Sequence, residues 1–134
     1  MTTLPALSVH TAGNAVPPLD PELEGLIDDL TGIHPGIDLI LDGIRLIALD
    51  RHQQGTTQLL TVTLAGSADG TDVLTAIGHL VARITNPDTN PSLRTLTFDA
   101  QKHVQMAGEC LVFALSNHHL HQHAANASGA IHTD

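Results

Sequence analysis

Two different periods set the spacing of apolar positions along this chain. Leu23, Leu26, Ile27 and Leu30 recur at helical spacing. Asp20 and Pro21 before them supply an N-cap and a proline at the first helical position. Glu22 and Glu24 fall in the first turn, where the helix dipole favours acids. Gly32 or the His34-Pro35-Gly36 turn stops the helix. The strongest helical stripe is Val73, Ile77, Leu80 and Ile84, widened by Leu74 and Val81. Asp69 or Thr71 can cap it, Asp72 falls in its first turn, and the segment from Asn86 to Pro91, with two prolines, ends it.

The other period is two. Leu60, Val62 and Leu64 alternate with Thr61 and Thr63, the pattern of a half-buried strand. The Ile- and Leu-rich run from Ile37 to Leu49 reads as one long strand, or as two broken at Gly43. With the polar turn from Arg51 to Thr56 it forms a hairpin. A second hairpin pairs Leu93–Phe98, with Leu96 and Phe98 on one face, with Cys110–Leu115, which is apolar on both faces and so central. The expected fold is α+β and ferredoxin-like in a circularly permuted αββαββ order, with two helices on one face of a four-stranded antiparallel sheet. Residues 1–18 are expected as a flexible arm, 19–116 as the folded interaction domain, and 117–134 as a disordered His-rich tail.

Composition narrows the function. The 134 residues carry 14 Asp and Glu against 5 Lys and Arg, a formal charge of −9, which argues against nucleic acid and against an anionic membrane surface. Phe98 and Phe113 are the only aromatic residues, so there are no stacking platforms for bases or sugars. One cysteine, Cys110, excludes an internal disulfide and a Cys-based zinc site, and is read as a buried structural thiol on a strand. No transmembrane segment or signal peptide is expected, so a membrane-anchored native form would have lost its anchor here.

Candidate chemistry is sparse. His118, His119, His121 and His123 fall within six residues. They are either a metal-binding tract or an adventitious tail, and the tail is the reading adopted, with no cofactor. His52, His79 and His103 read as surface residues, and Ser67 as a turn residue rather than a nucleophile. Adjacent Asp28 and Asp29 point to different helix faces and cannot share a proton. Arg45 and Arg94 interrupt apolar strands, on an open sheet face or at an interface.

The stretch from about Leu23 to Ser116 resembles the periplasmic domain of the type IV pilus assembly protein PilN and its type II secretion counterpart GspL, with PilO and GspM as more distant relatives. The residues that carry the resemblance are the His34-Pro35-Gly36 turn, Leu39-Ile40-Leu41, the Leu60–Ala68 pattern, the helix through Val73–Arg83, Leu93–Phe98 and Val112-Phe113-Ala114. It implies a non-enzymatic scaffold domain on the periplasmic side of a bacterial inner membrane, pairing with itself or with a sister subunit. Leu60, Val62, Leu64, Arg45 and Arg94 are then the interface residues. Two other readings compete: a small ligand- or metal-binding regulatory module on the same scaffold, and an enzyme using His79 or His103 as a base.

Overall fold

The computed structural model describes residues 15–67 and 69–131, and every regular element among them is helical. In chain order they are α1 (Pro21–Leu30), α2 (Pro35–Leu49), α3 (Gln54–Ala65), α4 (Val73–Ile84), a 3-10 turn at Pro91–Thr95, α5 (Phe98–Leu115) and α6 (His118–Ile131). The expected α+β ferredoxin-like fold is therefore overturned. Ile37–Leu49 is α2, unbroken at Gly43; Leu60–Leu64 lies inside α3; Leu93–Phe98 spans the 3-10 turn and the start of α5; and Cys110–Leu115 is the last part of α5. Residues 118–131, read as an irregular tail, form α6. Most of the expected N-terminal arm lies outside the described residues.

The helix starts follow capping chemistry. Asp20 accepts from Leu23 N at 3.1 Å, with Pro21 at the first helical position, as its sequence implies. His34 caps α2 through Nδ1, which accepts from Gly36 N at 2.8 Å. Thr97 caps α5 through its hydroxyl, 3.1 Å from Ala100 N, and Asn117 Oδ1 accepts from His119 N at 2.7 Å before α6. The cap of α4 is Asp72 itself, not Asp69 or Thr71.

The chain divides into two units, one ending at His52 and the other beginning at Gln53. In the first, α1 packs on α2 around Ile27 and Leu41, the buried apolar residues of the described chain. The turn between them is closed by Gly32 N donating to Asp38 Oδ1 at 2.9 Å, with Gly32 at φ +90°, a conformation that favours glycine.

In the second unit α3 pairs with α6 and α4 with α5. Gln58 Nε2 donates to Ser128 O at 2.9 Å, so α3 and α6 run antiparallel, the end of α3 lying against the start of α6. Small residues let both pairs approach closely. A Cβ on Gly66 would lie 3.0 Å from Ala124 Cβ. A Cβ on Gly108 of α5 would run into Thr85 Oγ1 and stand 3.3 Å from Ala82 Cα of α4. Thr85 is held in place by its own bond to Val81 O at 2.8 Å, so the hydroxyl does not swing away freely.

Gly108→Ala is expected to lower stability by about 1–2 kcal/mol, because overpacking outweighs the ~1 kcal/mol of helix propensity that alanine brings. Gly43→Ala, which has open space around its Cβ position in α2, should instead add about 0.5–1 kcal/mol. Urea unfolding of both variants checks the pair. Equal stabilisation by the two would contradict a close α4–α5 crossing.

Candidate functional site

The polar centre of the second unit is built from Asp72 and His121, both buried. Asp72 sits at the N-terminus of α4, where backbone amides lack helical partners. Its Oδ1 accepts from Thr75 N at 2.8 Å and its Oδ2 from Ser67 N at 3.2 Å. His121 enters from α6, placing Nδ1 2.7 Å from Asp72 Oδ2, an ion pair rather than an aligned hydrogen bond. The other ring nitrogen, Nε2, donates to the Leu115 carbonyl at the end of α5.

This surrounding sets the charges. The Leu115 carbonyl is the largest influence holding the His121 imidazolium above the ordinary histidine range; the Asp72 charge and the Ala65 carbonyl add to it, against the cost of burial. For Asp72, burial is the largest single influence and raises the carboxyl. The Thr75 and Ser67 groups and the His121 charge together outweigh burial, so the net shift is downward. With acceptors at both nitrogens, His121 is a structural cation and has no lone pair to offer a substrate.

A cleft of about 320 Å³ opens over this pair, lined by Gly66, Ser67, Thr75, Ser116, His118 and Gln122 among others. The Thr75 hydroxyl is buried there without a formed hydrogen bond. Ser67 Oγ is taken by Asp69, which also accepts from Thr71 N at 3.1 Å. The Ser67 and then the Thr71 hydroxyl hold the exposed Asp69 carboxyl down to about 2. The Ser67 hydroxyl is therefore not a free nucleophile in this cleft.

The residues singled out in the sequence are dispersed. Of the four clustered histidines, His121 is committed to Asp72 and Leu115, while His118, His119 and His123 are exposed. Among the described residues no three His, Cys, Asp or Glu side chains gather closely enough to hold a metal. Leu60 and Leu64 share one face of α3 and Val62 lies on the opposite one, because alternate residues on a helix diverge by ~200°. Arg45 lies on α2. Arg94 is tied to the loop after α4, its Nε donating to Pro87 O at 2.9 Å and Nη2 to Asp88 O at 3.2 Å. Cys110 is exposed on α5 rather than buried. His79 and His103 stand exposed on α4 and α5, and His52 bonds the Ile47 carbonyl at 2.7 Å.

The Asp72–His121 pair escaped the sequence reading. A signal for one half exists, since Asp72 directly precedes the strongest helical stripe, where a capping acid belongs, although Asp69 or Thr71 is the cap the sequence reading expects. Comparison with family models, with characterised proteins and with solved structures finds no match.

His121→Ala should destabilise the second unit by about 2–4 kcal/mol, since it strands a buried carboxylate. The pH dependence has a definite sign. The raised histidine contributes fully below its ordinary 6.5 and is lost as pH rises through its folded-state value. The lowered Asp72 contributes above 3.8 and is lost as pH falls through its folded-state value. Wild-type stability due to the pair is therefore greatest between these limits and declines on the alkaline side, and thermal melts across pH should show that decline weakened in His121→Ala. An identical alkaline decline in both proteins would count against the ion pair.

Proposed function

We propose that this chain is a non-enzymatic helical interaction module that acts by docking its outer helix faces on other protein surfaces. One observation carries the reading. Val73, Ile77, Leu80 and Ile84, the strongest apolar stripe in the sequence, are all exposed at 36–52% of their surface. α4 instead meets α5 through Gly78, which faces Leu115 and Val112, and through Ala82, which faces Gly108. A stripe of this regularity on a soluble surface marks an interaction site, because water-facing helices seldom keep one. The formal charge of −9 disfavours an anionic membrane surface, so a protein surface is the fitting cover.

The polar groups support the non-enzymatic side of the reading. His121 has both nitrogens engaged and Ser67 is bound to Asp69. The pilus or secretion platform, and its periplasmic setting, rested on a sheet order that the helices replace, so only the pairing role is kept here.

Leu80→Asp tests the reading. A half-exposed side chain should cost only about 1–1.5 kcal/mol when changed, against about 4 kcal/mol or more for a core leucine. The variant should stay helical by circular dichroism and bind less of an apolar-surface dye than the wild type. Global unfolding of Leu80→Asp would mean that the stripe is packed and the reading is wrong.

A further inference from the structure

We propose that α5 is a self-pairing helix, and that two copies of this chain associate antiparallel across its outer face about a two-fold axis between residues 105 and 106. This rests on the interaction-module reading and names its partner as a second copy. The face consists of Phe98, Lys102, Met106, Glu109 and Phe113, spaced as one helical stripe whose centre is turned about 120° from the Gly108 face that closes on α4. Phe98 and Phe113 are 75% and 79% exposed, and Met106 is 56% exposed. These two phenylalanines are the only aromatic side chains the chain possesses, and both are spent on this surface. Exposed aromatics and methionine are what interface centres are enriched in.

The stripe is self-complementary. An isologous contact requires that if residue i meets residue j of the other copy, then j meets i. In antiparallel register about the midpoint between Gln105 and Met106, Phe98 opposes Phe113 and Lys102 opposes Glu109, twice each. Lys102 is the single lysine of a chain with 14 acidic residues, and its mirror position in this register is an acid. Each end of the pairing then carries an aromatic contact with an opposite-charge pair just inside it. Within one copy Lys102 and Glu109 are about 10 Å apart along the helix. Glu109 is occupied there by Gln105 Nε2 at 3.2 Å, and Lys102 Nζ lies 5.8 Å from the Phe98 ring centroid.

The surface also offers a seat for the incoming ring. A groove of about 400 Å³ runs beside Phe98, Lys102 and Met106, with Pro87 and Asp88 on its far wall. In the antiparallel register, Phe113 of the second copy arrives at this end. The paired stretch from Phe98 to Phe113 is about 22 Å long. One helix pair of that length makes an interface at the small end of specific contacts, so association should depend on concentration.

Light scattering and sedimentation of the full chain, from about 5 µM to about 500 µM, test this. The mass should climb from one chain toward two. Phe113→Asp should hold it at one. Lys102→Glu and Glu109→Lys should each weaken association about tenfold or more by placing like charges opposite one another, and the double reversal should restore most of it. All three positions are exposed, so circular dichroism should be unchanged; if Phe113→Asp nonetheless unfolds, the charge reversals decide alone. A single-chain mass throughout, a dimer indifferent to the single reversals, or a double reversal no tighter than the singles would each overturn self-pairing. A strict monomer that tolerates Leu80→Asp removes only the second copy as partner, whereas unfolding by Leu80→Asp removes the interaction-module reading itself.

Discussion

Asp72 is the point at which the second unit is tied together. Its carboxylate caps α4 through Thr75 N, fixes the start of the α3–α4 loop through Ser67 N, and meets the His121 cation of α6. His121 in turn reaches the Leu115 carbonyl at the end of α5. The pair thus meets backbone groups at the start of α4, just after α3 and at the end of α5, which would otherwise be left unmet. Buried pairs are weak sources of net stability but costly to break on one side, so their best use is to specify an arrangement. That use fits a unit with almost no deeply buried apolar side chain: the geometry comes from a polar knot and from close backbone approach.

The close approach has a consequence for everything facing outward. Where Gly66 meets Ala124, and Gly108 meets Ala82 and Thr85, small residues occupy the inner faces of the helices. Large apolar residues are then left for the outer faces, and Leu80, Ile84, Met106 and Phe113 all stand there. This is the inverse of the usual soluble helix, whose long side chains turn inward. The inversion suits a part whose apolar surface is completed by something else.

Helix starts were legible where a cap stood next to a clear stripe. Asp20 and Pro21 announce α1, and the stripe from Val73 to Ile84 announces α4. The sheet was misread for definite physical reasons. Leu60, Val62 and Leu64 alternate by coincidence of threonine placement, and over seven residues such alternation cannot be separated from an i, i+4 leucine pair on a helix. α2 keeps a polar stripe at helical spacing in Asp38, Asp42 and Arg45, but the dense Ile and Leu between them equally suits a buried strand. The first half of α5, from Asp99 to Gln105, is polar, so only its apolar end was noticed. α6 was hidden by composition, although Asn117 as a cap and the small residues Ala124, Ala125 and Ser128 mark a helix with a shallow inner face. Of the candidate site, the sequence places the acid only in the first turn of α4, with Asp69 or Thr71 as the expected cap; its histidine partner lies 49 positions later in a stretch with no stripe.

The stripe on α4 also shows why periodicity and burial are separate questions. Val73, Ile77, Leu80 and Ile84 satisfy every rule for an amphipathic helix, and the natural inference is that they face a core. A sequence pattern records only that one face avoids water; it does not say whether the same chain or another supplies the cover. The competing face of α4 is narrower and uses Thr75, Gly78 and Ala82, residues that score poorly as apolar yet permit the closest backbone contact. Close packing along that face and the Asp72 cap fix where α4 lies. The large side chains are left on the outer face, and under the proposed interaction-module reading this division of labour lets a helix of 12 residues serve fold and assembly together.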